Sequence, residues 1–132
     1  MTPVTHPEEQ ATAAPIHPEL LLGTWLNTNT ATRGITTAIL ARKDGRIVVR
    51  IVALGDPGPS DWGEIATDLF AANAYSNEAM AFSTFYDFGF METKLQAHLR
   101  QGVLIIAKFD RFKDGSGRSN CFSKEFFYRA EP

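Results

Sequence analysis

Met91-Glu92-Thr93-Lys94-Leu95-Gln96-Ala97-His98-Leu99-Arg100 decides the fold class of this chain. Glu92, Lys94, Gln96, His98 and Arg100 share one parity; Met91, Thr93, Leu95, Ala97 and Leu99 share the other. Successive side chains of a strand point to opposite sides, so one set meets water and the other an interior.

Working outward, similar short segments recur between turn residues, at 24–29, 34–42, 47–54, 61–73, 78–87, 90–99, 103–112 and 120–129. In the second, Ile35, Thr37, Ile39 and Ala41 are expected to share a face. Lys43-Asp44-Gly45-Arg46 is a hairpin signal, because Asp-Gly supplies the positive φ values of a tight turn. Gly55-Asp56-Pro57-Gly58-Pro59-Ser60 must be a loop, since proline lacks the ladder donor. Ser76-Asn77, Phe88-Gly89, Gln101-Gly102 and Asp114-Gly115-Ser116-Gly117 punctuate the rest. Residues 64–75 fit a helical period almost as well as a strand period. They are read as strand, with room for a short helical turn at 71–74.

Eight strands joined by short loops imply a meander, and a twisted meander removes its exposed edges by closing on itself. The expected fold is therefore all-β: an eight-stranded antiparallel up-and-down barrel over residues 20–130. A flexible, proline-rich leader over 1–19 precedes it, holding Pro3, Pro7, Pro15 and Pro18. A bore of this size is either filled by side chains or holds one small ligand. The seventh and eighth segments depart from alternation. Val103 to Ala107 and Phe126-Phe127-Tyr128 are apolar at both parities. An outward apolar strip needs cover, so a homodimer through these two segments is expected, with the leader folding back as the rival cover.

The 132 residues fit one domain, with 44% hydrophobic and 11% aromatic residues and a net charge of -2. Three of the 15 acidic residues, Glu8, Glu9 and Glu19, lie in a first stretch of twenty without Lys or Arg. The remainder is close to neutral, which gives no electrostatic reason to expect nucleic acid or an anionic membrane as partner. The single cysteine, Cys121, excludes an intrachain disulfide. The N-terminus lacks a basic segment and an apolar run, so no secretory signal is read, and a cytoplasmic setting is expected.

Gly23-Thr24-Trp25 resembles the Gly-x-Trp opening of lipocalins, and Gly23 to Asn27 resembles the Gly-Thr-Trp-x-Asn start of avidin-type barrels. Both belong to the calycin group. The second lipocalin signature, around Thr-Asp-Tyr, is not present. A longer resemblance, over 21–129, is to small bacterial lipocalin-like proteins. It rests on Gly23-Thr24-Trp25, Arg33-Gly34-Ile35, Asp61-Trp62-Gly63 and Asp114 to Arg118. That group often carries a cysteine pair in the loop before Asp-Trp-Gly, where this chain has Gly55 and Ser60. The resemblance implies a structural anchor of Gly23 and Trp25 at the closed end of the barrel, with Arg129 stacked on the indole. It also implies that Asn27 points into the mouth and binds a ligand.

The aromatic middle segments, with Trp62, Tyr75, Phe82 and Tyr86, read either as core or as the lining of a pocket. Tyr86 is the favoured polar handle. Catalytic candidates are Tyr86, Asp68 and Glu64. The two carboxylates share a face but stand about 13 Å apart along a strand, so each needs a partner from elsewhere. His98 belongs to a polar face. His6 and His17 lie in the leader and read as solvated. No metal site, cofactor motif, phosphate loop or nucleophile elbow is found. Three functions remain. The leading one is a barrel binding a small hydrophobic or mixed-polarity molecule. The others are a cyclase or isomerase that folds a hydrophobic metabolite in its cavity and an oligomeric interaction module with a filled bore. A bore packed with Phe and Leu favours the last.

Overall fold

The computed structural model describes residues 15–131; residues 1–14 of the expected leader, His6 included, lie outside them. Among the described residues, nine strands form one antiparallel sheet: β1 (Gly23–Asn27), β2 (Ile35–Lys43), β3 (Arg46–Ala53), β4 (Ser60–Ala66), β5 (Asp68–Ala71), β6 (Ala79–Asp87), β7 (Met91–Arg100), β8 (Val103–Phe112) and β9 (Cys121–Arg129). Their order is β4-β3-β2-β1-β9-β8-β7-β6-β5. Every connection joins sheet neighbours except the step from β4 to β5, and the first and last strands, β1 and β9, also pair.

The count of nine corrects the expected eight. The fourth expected segment breaks at Thr67, leaving β4 paired with β3 and β5 paired with β6. Thr67 is held on the β3 side, where its N–H and hydroxyl both donate to Ile47 O at 3.0 and 2.9 Å. The next residue, Asp68, already pairs with Ser83 of β6. Two side chains of β6 bridge the seam: Thr84 Oγ1 donates to Ala66 O and Tyr86 OH to Gly63 O, each at 2.8 Å. The result is a nearly closed barrel in which a single bent segment serves two neighbours.

The hairpin signals correspond to left-handed backbone. Asp44 and Gly45 have φ of 53° and 78°, and Gln101 and Gly102 have 51° and 80°, the pattern of a tight two-residue turn. Residues 72–75 form a bend and turn closed by Ser76 N–H on Asn73 O, in place of a helical turn. In β2 a bulge between Ile35 and Thr37 inverts parity, so Ile35, Ala38 and Leu40 are buried. The expected shared face of Ile35, Thr37, Ile39 and Ala41 is thereby corrected. An extra residue in one strand shifts every later side chain to the other face.

The bore is filled. One contiguous apolar cluster takes Trp25 from β1, Leu40 from β2, Val49 and Ile51 from β3, Phe82 and Tyr86 from β6, Leu95 from β7, Leu104 and Ile106 from β8, and Phe127 from β9. Side chains from around the circumference therefore meet at the axis. Among the described residues, no buried polar side-chain atom lacks a hydrogen-bond partner. No helix among them is long and apolar enough to cross a membrane.

One end is sealed by residues 16–22, a stretch the expected leader boundary at residue 19 would have divided. His17 forms a bridge with Glu78, its N–H donating to Asn77 O at 2.7 Å and its C=O accepting from Ala79 N–H at 2.8 Å. Ile16, Leu21 and Leu22 then pack on the core. Trp25 Nε1 donates to Leu21 O at 2.9 Å. Arg129 lies over the indole with its guanidinium carbon 4.5 Å from the ring centroid, and its two terminal nitrogens donate to Leu20 O and Leu22 O. Gly23 has φ +125°, and a Cβ there would stand 3.1 Å from the Arg129 guanidinium. Glycine is thus required both by conformation and by the close approach of the arginine.

Arg129→Ala removes the cation–π contact and two charged donors to carbonyls at once. A loss of about 2 kcal/mol is expected, seen in thermal unfolding as a Tm lower by roughly 5–10 °C. Arg129→Lys should recover less than half of it, because an ammonium cannot stack and reach both carbonyls.

Candidate functional site

Of the residues expected to line a pocket, Trp62 and Tyr86 are brought together, and Asn27, Tyr75 and Phe82 stand apart from them. Phe82 is buried in the core and Tyr75 is 100% exposed on the loop before β6. Asn27 is buried, and its amide is fully engaged. Its Nδ2 donates to Ile35 O at 2.8 Å and to Glu125 Oε2 at 2.7 Å, while its Oδ1 accepts from Asn29 N–H at 2.8 Å. Thr32 Oγ1 donates to the same Glu125 oxygen. This network folds the β1–β2 loop onto β9. A Cβ on Gly34 would come within 2.7 Å of Glu125 Oε1, so the loop is seated tightly on the carboxylate.

Trp62, Tyr86 and Phe88 do cluster. The Trp62 ring is 5.3 Å from Tyr86 and 5.1 Å from Phe88, edge to face, and Tyr86 stacks on Phe88 at 5.8 Å. The Tyr86 hydroxyl donates to a backbone carbonyl of β4. Burial pushes the phenol up to about 12, against the effect of contact with the Ile51 backbone, and the Asp61 carboxylate adds to the rise. It therefore ties the seam together as a neutral donor.

Glu64 and Asp68 stand on opposite sides of the Thr67 break. Glu64 pairs with Lys43 at 2.5 Å. Asp68 is exposed on β5, opposite Ser83. Asp61 pairs with Arg50; that hydrogen bond and the Gly63 N–H hold its carboxyl below the usual range. Tyr86, Asp68 and Glu64 therefore do not assemble an acid/base pair. His98 is exposed, on the outward face of β7. Among the described residues, no group of three or more His, Cys, Asp or Glu side chains gathers in a metal-binding arrangement.

One inward polar cluster was missed by sequence reasoning. Asp110 is buried on β8, accepting from Thr93 Oγ1 at 2.7 Å and from Lys108 Nζ. Cys121 Sγ stands 4.0 Å from Oδ2, the oxygen that Lys108 approaches. The signal was available: Lys108 and Asp110 continue the parity of Leu104 and Ile106.

One broad concavity is lined by outward side chains of β6 to β9 together with the buried Thr84 and Asp110 and with Ile65 and Ala66 of β4. It is an open groove of about 1040 Å³. Phe85, Lys94, Phe109 and Phe122 form its floor and are consecutive register partners across β6, β7, β8 and β9. Their chain neighbours Thr84, Thr93 and Asp110 are buried, so the row faces away from the core. Phe85, Phe109 and Phe122 are 45%, 41% and 64% exposed. Phe109 and Phe122 stack, with centroids 5.7 Å apart. Asp68 of β5, Ser83 of β6, Glu92, Arg111 and the exposed Cys121 also line it. A second, smaller hollow of about 130 Å³ lies by Asn27, Asn29, Lys124, Glu125 and Phe126.

Comparisons with protein-family models, with curated proteins and with solved structures find no match to this chain.

The raised Tyr86 group gives a signed expectation. Its folded-state value of about 12 exceeds the ordinary 10.0, so the fold favours the protonated phenol. Its stabilisation is complete below pH 10 and declines as pH rises towards 12. Urea midpoints taken across that window should fall more steeply for the native chain than for Tyr86→Phe.

Proposed function

We propose that this protein is a small-molecule-binding barrel whose site is the outer groove and not the bore. The observation that supports this best is the contrast between the two places. The bore is occupied by the chain's own Trp, Phe and Leu side chains, whereas three phenylalanines are displayed in a concavity on the opposite face. Large exposed apolar rings in a concave, polar-rimmed setting are characteristic of binding surfaces. A hydrophobic or mixed-polarity molecule would gain affinity by covering those rings and orientation from the charged rim. A cyclase acting within an enclosed cavity finds less support, because the inward phenol is committed to a backbone carbonyl and the inward carboxylate to Lys108 and Thr93.

Kinship with the calycin barrels rests on the Gly23–Trp25–Arg129 arrangement at the sealed end. The lone free thiol fits a reducing, cytoplasmic setting.

The groove also supplies its own reporter, since Cys121 is exposed and lines it. Native mass spectrometry of freshly purified protein is expected to show a co-purifying small molecule. Its presence should slow alkylation of Cys121 several-fold, and Phe109→Ser with Phe122→Ser should abolish retention. A ligand that is retained while Cys121 reacts at its unprotected rate would place the site elsewhere.

A second reading, the homodimer, is favoured by a separate strip on the same face. Val103, Ile105, Phe126 and Tyr128 lie together by register, with Leu26 beside Tyr128. Phe126 and Tyr128 are 44% and 48% exposed. The register row Ser83, Gln96, Ala107 and Lys124 runs between this strip and the row of Phe85, Lys94, Phe109 and Phe122. A two-fold dimer across the strip should sediment at twice the chain mass at high micromolar concentration and dissociate on Phe126→Lys. A monomer at that concentration would exclude it.

A further inference from the structure

The rim of the groove carries unpartnered charge of a particular kind. Among the described residues, Lys94 and Arg111 make no ion pair, whereas Glu92 is approached by Lys113 at 3.5 Å. Lys94 lies directly between Phe85 and Phe109 in the register, and Arg111 is two residues beyond Phe109 on the same face. Diagonal neighbours of this kind have Cβ atoms roughly 7–8 Å apart, within reach of one shared anionic group for two such long side chains. The stacked pair Phe109 and Phe122 offers broad apolar ring surface next to these cations.

We propose that the groove takes a flat aromatic anion, its ring against Phe109 and Phe122 and its acidic group held between Lys94 and Arg111. Ring stacking and apolar cover supply the common part of the affinity. The two cations supply selectivity, because a guanidinium and an ammonium bind a carboxylate, sulfonate or phosphate through charge-assisted hydrogen bonds. This inference rests on the reading of the groove as the binding site.

The test uses two fluorescent probes of similar ring size on the full chain: anionic anilinonaphthalene sulfonate and neutral phenylnaphthylamine. The anionic probe is expected to bind about tenfold more tightly, a preference that high salt reduces. Lys94→Met with Arg111→Met should erase that preference while leaving the neutral probe within about twofold. Phe109→Ala with Phe122→Ala should weaken both probes. Both pairs of substitutions are at exposed positions, and thermal melting reports that the variants fold. Equal affinity for the two probes overturns the proposed ligand class while the groove reading stands. So does an anionic preference that survives loss of both cations. Failure of both probes to bind overturns the groove reading together with this one.

Discussion

The barrel closes because one segment is shared between two neighbours. β4 completes β3 and β5 completes β6, and the exchange occurs at a single residue, Thr67. An open sheet of this length would expose two unpaired edges and invite association along them. Here both edge strands belong to the same stretch of chain, so pairing each one draws the sheet ends together. The bend cannot be bridged by ladder hydrogen bonds alone. Thr84 and Tyr86 reach across it from β6 to carbonyls of β4, and the stack of Tyr86, Trp62 and Phe88 packs that side of the seam. The phenol that might have been a catalytic group is thus part of what holds the barrel shut.

Closure at this circumference also determines where function can lie. A small barrel has a bore about as wide as its own side chains can fill. Trp25 and the strap of residues 16–22 seal one end, and Phe82, Leu95, Leu104 and Phe127 meet along the axis. On the outer surface β6, β8 and β9 carry aromatic rings where a solvent-facing strand would ordinarily carry polar groups. Those rings leave an apolar area exposed in the isolated chain, and their arrangement in two patches on either side of the Ser83, Gln96, Ala107 and Lys124 row allows two separate contacts.

Much of this was legible from residue order. Period-two alternation located the strands to within a few residues, and Asp44-Gly45 and Gln101-Gly102 marked turns whose positive φ values are realised. The stacking of Arg129 on Trp25 could be expected from resemblance to calycins. Other features could not be read so directly. The bulge after Ile35 adds one residue to one strand, which alternation alone reports as an ordinary strand of the wrong parity. The break at Thr67 depends on which neighbour each half pairs with, a long-range property. Resemblance suggests a ligand-binding role for Asn27, and its clasp on the β1–β2 loop is not legible because its partner Glu125 is 98 residues away. Whether a bore is filled depends on the summed volume of side chains from every strand. The aromatic count could not say whether Phe85, Phe109 and Phe122 pointed in or out until register fixed their parity.

The apolar character of β8 on both faces creates a register problem that the inward polar cluster resolves. From Val103 to Ala107 a slip by one residue exchanges Leu104 and Ile106 for Val103 and Ile105, at little hydrophobic cost. Further along the same strand, the slip is expensive. It would carry Asp110 away from Thr93 and force Phe109 and Arg111 inward in place of Lys108 and Asp110. The buried pair adds little net stability, since desolvation offsets most of its attraction. Its physical contribution is to penalise the wrong parity, because an unpaired buried carboxylate costs far more than a misplaced isoleucine. The strand can therefore display an apolar outer face without losing track of which face is outer.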